Sequence, residues 1–261
     1  MINRIAYVLL ALILPAGLFA VSGLPEAWRY YPVLVVLLAA AVIVLRIIKK
    51  TGPVHDLLEL SFLIAFITYM ADLFGLYRFM PLPQAVYILF FSGWYIWIKK
   101  RSRFDFMLTP GRPKKAAWSA PVIAVLSVAG LSLWFLFIGQ RSYSQYLPDL
   151  SLLLLIPGGA FFALLNAAYE EFLFRGILMR LFSRAIGLAA ALVLQSCWFG
   201  IFHFAAGFPN GLIGIALTFL FGLGTGYTAW RTGGLLVPVL IHAAADYAIF
   251  WLVLLRGYSL I

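Results

Sequence analysis

Residues 151–184 read SLLLLIPGGAFFALLNAAYEEFLFRGILMRLFSR, a nearly unbroken apolar stretch with Glu170, Glu171 and Arg175 in its second half. A bilayer-spanning helix needs about 20 mostly apolar residues. This stretch is long enough to cross but too long to cross straight, since at 1.5 Å per residue it would reach about 51 Å. Pro157, Gly158 and Gly159 predict a break near its start, and the Arg180 to Arg184 end is expected to emerge into the membrane interface. Its charged residues are the informative part, because ionisable groups inside a bilayer are costly and face a partner or a water-filled cavity.

The rest of the chain has the same character. It is 261 residues long, 64% hydrophobic and 11% charged, with a mean hydropathy of +1.02, where soluble domains run near 45–50% apolar and about 25% charged. The apolar runs are continuous, which excludes a membrane β-barrel of alternating strands. Nine candidate spans follow: Ile5 to Gly23, Tyr31 to Ile48, Leu57 to Leu76, Leu82 to Ile98, Ala117 to Gly139, Ser151 to about Arg184, Ile186 to Phe204, Leu212 to Trp230 and Leu235 to Leu255. The expected fold is all-α, a polytopic transmembrane bundle of nine spans, or eight if the first, with Arg4, Ala20 and Ser22, is a cleaved signal peptide. No soluble domain, long repeat or low-complexity tract is visible. Gly207 with Gly211, and Gly222 with Gly226, have the spacing that lets helices approach closely.

The net charge of +10 is a topology signal. Of the nineteen basic residues, fourteen fall in one set of alternate connections and four, Arg29, Arg78, Arg141 and Arg256, in the other. The positive-inside rule then puts the N-terminus and the Lys99 to Lys115 loop in the cytoplasm and the C-terminus outside. The loop is either that signal in a solvated segment or a contact for anionic lipid heads. Basic residues placed this way argue against a nucleic-acid partner. The single cysteine, Cys197, excludes a disulfide framework and a Cys-based zinc cluster.

Costly side chains gather in the last hundred residues. Glu171 and Arg175 are four apart and share a helix face, where a carboxylate N-terminal to a cation pairs well. Glu170 points about 100° away, without a local partner by this reading, as suits a general base or acid. His242 and Asp246 repeat the four-residue spacing, as do Phe199 and His203. Each histidine alone is either a helix-linking hydrogen-bonding group or a ligand. Glu170, His203, His242 and Asp246 together favour an active or ion-binding site.

The order Glu170-Glu171-x-x-x-Arg175, Phe199-x-x-x-His203 and His242-x-x-x-Asp246 resembles the CAAX-processing and bacteriocin-processing (CPBP or Abi) intramembrane endopeptidases. The likeness covers about Ser151 to Leu255. It divides the chain into residues 1–150, N-terminal helices without a recognised motif, and 151–255, a catalytic core. The resemblance implies about eight helices around an active site in the membrane, hydrolysis of a peptide bond, and a peptide or protein substrate, lipidated or membrane-embedded. It also implies a place in the bacterial plasma membrane.

By that resemblance Glu170 is the base, His203 helps hold the water, and His242 with Asp246 stabilises the oxyanion. Two mechanisms fit. Zinc held by His203, His242 and Asp246 would activate a water, or Glu170 and His203 would do so without metal. Other members have Asn where this chain has Asp246, which leans towards a metal; the lack of a His-Glu-x-x-His helix leans the other way. The rival classes are a proton-coupled carrier using Glu59, Asp72 and Glu170 as relay groups, and a non-catalytic immunity protein. Counting about 1.5 Å per residue from the cytoplasmic ends of straight helices predicts His203 and His242 about 16 Å apart in depth, a separation that the catalytic reading does not tolerate.

Overall fold

The computed structural model describes residues 4–20, 28–48, 52–79, 82–98, 109–139, 151–206 and 208–257. The described residues are helical and contain no strand. The α-helices are α1 (Arg4–Pro15), α2 (Tyr31–Ile47), α3 (Pro53–Leu73), α4 (Leu82–Gly93), α5 (Ser119–Phe137), α6 (Leu152–Glu171), α7 (Met179–Ile186), α8 (Leu188–Ala206), α9 (Gly211–Thr232) and α10 (Leu236–Gly257). Five stretches are long and apolar enough to cross a membrane: Pro53–Leu73, Ser119–Phe137, Leu152–Ile186, Gly211–Thr232 and Leu236–Gly257. Four shorter apolar helices, Ile5–Phe19, Tyr31–Ile47, Leu82–Ile96 and Leu188–Phe204, complete a bundle with the nine expected segments. This is a multi-pass helical membrane protein. Lys99 to Arg103, Ser22 and Gly207 lie outside the described residues.

The long sixth segment does not break where proline and glycine suggest. Pro157 stays inside α6, at its sixth residue, where its missing N–H leaves the Leu153 carbonyl without its usual donor. Gly158 meets nothing, and Gly159 instead makes room for a neighbour: a Cβ there would lie 2.7 Å from the Phe250 ring of α10. The change of geometry comes after the acidic pair, in a π-helical turn at Phe172–Leu178 whose residues are all buried. Such turns occur mostly as insertions in α-helices, often at functional sites. Beyond it α7 is amphipathic, burying Met179, Leu181 and Phe182 and exposing Arg184.

Small residues set the closest packing. A Cβ on Gly226 of α9 would come within 2.5 Å of Leu192 Cδ1 and 2.8 Å of Gln195 Nε2; on Gly222 it would lie 3.1 Å from Ser196. Gln195 Nε2 donates to the Gly222 carbonyl at 3.0 Å, adding a polar bond between α8 and α9. Gly211 does not share this role; it begins α9 at φ +72° facing open space. At the other end Gly233 takes the left-handed conformation that closes α9, its N–H donating to the Ala229 carbonyl. Thr109 and Arg112 are tied to this turn by Leu235 N–H to Thr109 O (3.1 Å) and Arg112 N–H to Thr232 O (2.8 Å). Arg256 of α10 donates to the Gly139 and Phe135 carbonyls at 2.6 and 3.3 Å and lies 4.0 Å over the Phe135 ring, holding the end of α5.

Candidate active site

The acidic pair sits on the last turn of α6, and α-helical spacing sets its neighbours. Glu170, Glu171 and Arg175 are buried, the last two completely. Arg175 Nη1 lies 3.0 Å from Glu171 Oε1, the expected i,i+4 pair. Its other terminal nitrogen donates to Thr225 Oγ1 of α9, and the guanidinium lies 4.5 Å from the centre of the Phe199 ring. A buried arginine is tolerable only with such compensation.

Glu171 also reaches α10, its Oε1 accepting from His242 Nδ1 at 2.8 Å. With Nδ1 donating, Nε2 faces Glu170 Oε2 at 3.5 Å and Asp246 Oδ1 at 3.6 Å. Three acceptors converging this way are favourable only with a proton or a cation among them. His203 Nδ1 lies 2.9 Å from the Phe199 carbonyl. A carbonyl can only accept, so Nδ1 carries the hydrogen and Nε2 presents a lone pair.

Glu170 has a local partner, contrary to the expectation from spacing. Asn166, one turn earlier on α6, donates through Nδ2 to Glu170 Oε1 and to Asp246 Oδ2, both at 3.1 Å. Its Oδ1 accepts from Gln84 Nε2 of α4 at 3.2 Å. Glu170 Oε2 makes no hydrogen bond. Asn166 was missed because a neutral amide in an apolar run gives no charge signal, although its i,i+4 spacing to Glu170 is visible. Gln84 is remote in sequence and carries no local cue.

The two histidines share a site despite the depth count. Phe199 packs on both, with ring centroids 4.5 Å from His203 and 5.8 Å from His242, and both line one cavity of about 380 Å³ between α5, α9 and α10. The count assumed straight helices starting from one level, whereas the shared Phe199 contact and cavity bring the two rings together. A second cavity of about 770 Å³ reaches Glu170, Asn166, His203 and Asp246 from the other side, lined there by Gln84, Thr68 and Asp72. His203, Asp246 and Ile249 border both. All seven residues of the sequence motifs therefore meet through contacts with one another or with a shared cavity.

Of the carrier reading's other acids, Glu59 lies elsewhere, and Asp72 lines the second cavity with Glu170. Glu59 on α3 is held by Arg46 (2.8 Å), by Trp94 Nε1 (3.3 Å) and beside His55 Nε2 (3.2 Å). Asp72 accepts from Trp28 Nε1 at 3.0 Å. His55, Asp56 and Glu59 form a His-Asp-Glu group with donor atoms within 4.8 Å of one another, a possible metal-binding cluster. It is not the His203, His242 and Asp246 set, and Arg46 already supplies positive charge to Glu59.

Residues 151–248 match the family described as type II CAAX prenyl endopeptidase, Rce1-like. Neither the curated proteins nor the solved structures include a match. The matched segment holds all three motifs, the helices α6 to α9 and the first part of α10. Through this segment, a little over a third of the chain, the protein is similar to the CAAX-processing and bacteriocin-processing family of intramembrane endopeptidases.

Proposed function

We propose that this CAAX-type intramembrane endopeptidase hydrolyses its substrate with a water activated by Glu170. The observation that carries the reading is the state of that carboxylate: Oε1 is held by Asn166, while Oε2 is free of hydrogen bonds and faces His242 Nε2 at a cavity wall. A water between Glu170 Oε2 and the lone pair of His203 Nε2 gives one proton to Glu170 as its oxygen bonds to the scissile carbonyl carbon. The developing oxyanion is met by His242, which donates from Nε2 in its imidazolium form. The C–N bond then breaks as Glu170 passes the proton to the leaving amine. Glu171 and Arg175 hold His242 and the end of α6 in place. Residues 151–255 are thus the catalytic core, and α4 in residues 1–150 contributes Gln84 to its support.

The family likeness supports a peptide or protein substrate; the proposal extends it to a lipidated cysteine near the substrate's C-terminus as the first candidate, acted on in the bacterial plasma membrane. Two cavities meeting at His203 and Asp246, one mostly apolar, suit a ligand with an apolar part and a peptide part.

A zinc-assisted variant is favoured by one observation. His242 Nε2 lies 3.6 Å from Asp246 Oδ1, close to the ~3.4 Å edge of a tetrahedron with ~2.1 Å ligand distances, and His203 lines the same cavity. Asp246 accepts rather than donates in its bond with Asn166, as an anionic ligand does. His203, His242 and Asp246 would hold the ion, which when bound lowers the pKa of water and polarises a carbonyl. Glu170 keeps its role as base.

The test is cleavage of an internally quenched peptide with a farnesylated cysteine three residues from its C-terminus, using purified protein in detergent, with elemental analysis and chelation in parallel. Glu170→Gln and His203→Ala are expected to lower cleavage at least about 100-fold with unchanged thermal melts. Full activity in Glu170→Gln overturns the mechanism; activity surviving complete metal removal eliminates the zinc variant.

A further inference from the structure

The amide of Asn166 lies between two carboxylates from different helices. Its two Nδ2 hydrogens match two acceptors, Glu170 Oε1 on α6 and Asp246 Oδ2 on α10, each at 3.1 Å. Gln84 Nε2 donates to the amide oxygen at 3.2 Å, which fixes the orientation. The flipped amide would set a carbonyl against two carboxylates and an N–H against an N–H. Gln84 is itself buried at 5% exposure on α4, outside the family-matched segment.

The chemistry calls for an amide here. A lysine would ion-pair with the base and quench it. An aspartate would add a third negative charge and remove both donors. A leucine would leave two carboxylates without their shared donor. An asparagine supplies two hydrogens and no charge, and by occupying Oε1 it leaves Oε2 of Glu170 as the oxygen turned towards His242.

We propose that Asn166, oriented by Gln84, is a positioning residue that selects the reactive oxygen of Glu170 and fixes its distance from Asp246. This rests on the hydrolase reading above. Its consequence is a relay of positioning from α4 through α6 to α10, so that residues 1–150 contribute to catalysis without touching substrate.

The test uses the same quenched farnesylated peptide with the full-length protein. Asn166→Ala is expected to lower kcat about 10- to 100-fold, the usual scale for a residue supporting a catalytic group, with KM changed by less than about threefold. Asn166→Asp, of nearly the same volume, is expected to lose as much kcat and provides the measurement if the alanine variant does not fold. Gln84→Ala is expected to lose about 3- to 10-fold, and Gln84→Ala with Asn166→Ala no more than Asn166→Ala alone, because Gln84 acts through the same amide. Normal kcat in either Asn166 variant, a change confined to KM, or additive losses in the double variant overturn the proposal. A merely structural asparagine would lower the melting temperature and leave kcat per folded molecule intact. Wild-type protein that leaves the peptide uncut, or Glu170→Gln that cuts it normally, overturns the hydrolase reading and this one with it; active wild type with inactive Glu170→Gln and normal Asn166 variants overturns this one alone.

Discussion

Arg175→Met removes the cation from an ion pair whose two side chains are both fully buried. Removing one partner of a buried pair costs about 3–5 kcal/mol, and losing the guanidinium over the Phe199 ring adds roughly 1–2 kcal/mol. Against this, Glu171 keeps its 2.8 Å contact with His242 Nδ1, a charge-assisted bond of about 1.5–3 kcal/mol, and methionine refills much of the space. The expected net loss is about 3 kcal/mol, or roughly 6–12 °C in melting temperature at ~2–4 °C per kcal/mol for a chain of this size. Tryptophan fluorescence melts in detergent measure it. The double variant Glu171→Gln with Arg175→Met leaves no charge unpaired and should lose less than the two single losses combined, by about 1–3 kcal/mol. A single Arg175→Met melt within about 2 °C of wild type, too small for a lost buried pair, refutes the reasoning.

Gly226→Leu drives a branched side chain into Leu192 and Gln195, where even a Cβ is at 2.5 and 2.8 Å; overpacking of this kind costs about 1–3 kcal/mol, and the same melt detects it. Arg256→Ala releases two carbonyls at the end of α5 and a ring stacked at 4.0 Å. Faster amide exchange confined to the last turns of α5 is the expected result, and unchanged exchange there contradicts the assigned role.

The sequence was most legible where chemistry is paired at helical spacing. The i,i+4 relation alone placed Arg175 on Glu171, and the three motifs, read by family likeness, named the residues that meet around His242. What escaped was set by geometry that no local pattern encodes. Asn166 and Gln84 are uncharged and join different helices. Pro157 looks like a breaker but stays within α6, whose packing against α10 carries the helix through it. The depth conflict between His203 and His242 came from counting each straight helix from a common starting level, which no local pattern fixes.

The π turn at Phe172–Leu178 has a mechanical consequence. An α-helix turns about 100° per residue and a π turn, with its i→i+5 bonds, turns less, so rewinding the same seven residues as plain α-helix would swing α7 by roughly 100° while leaving Glu170 and Glu171 aimed as before. Met179, Leu181 and Phe182, now buried at 5% exposure or less, would rotate out, and Phe182 would lose its edge contacts with Tyr7 and Trp198. The turn is an angular joint: the aim of the acids and the seating of the helix that follows are set independently, and the winding of its seven residues keeps both in phase.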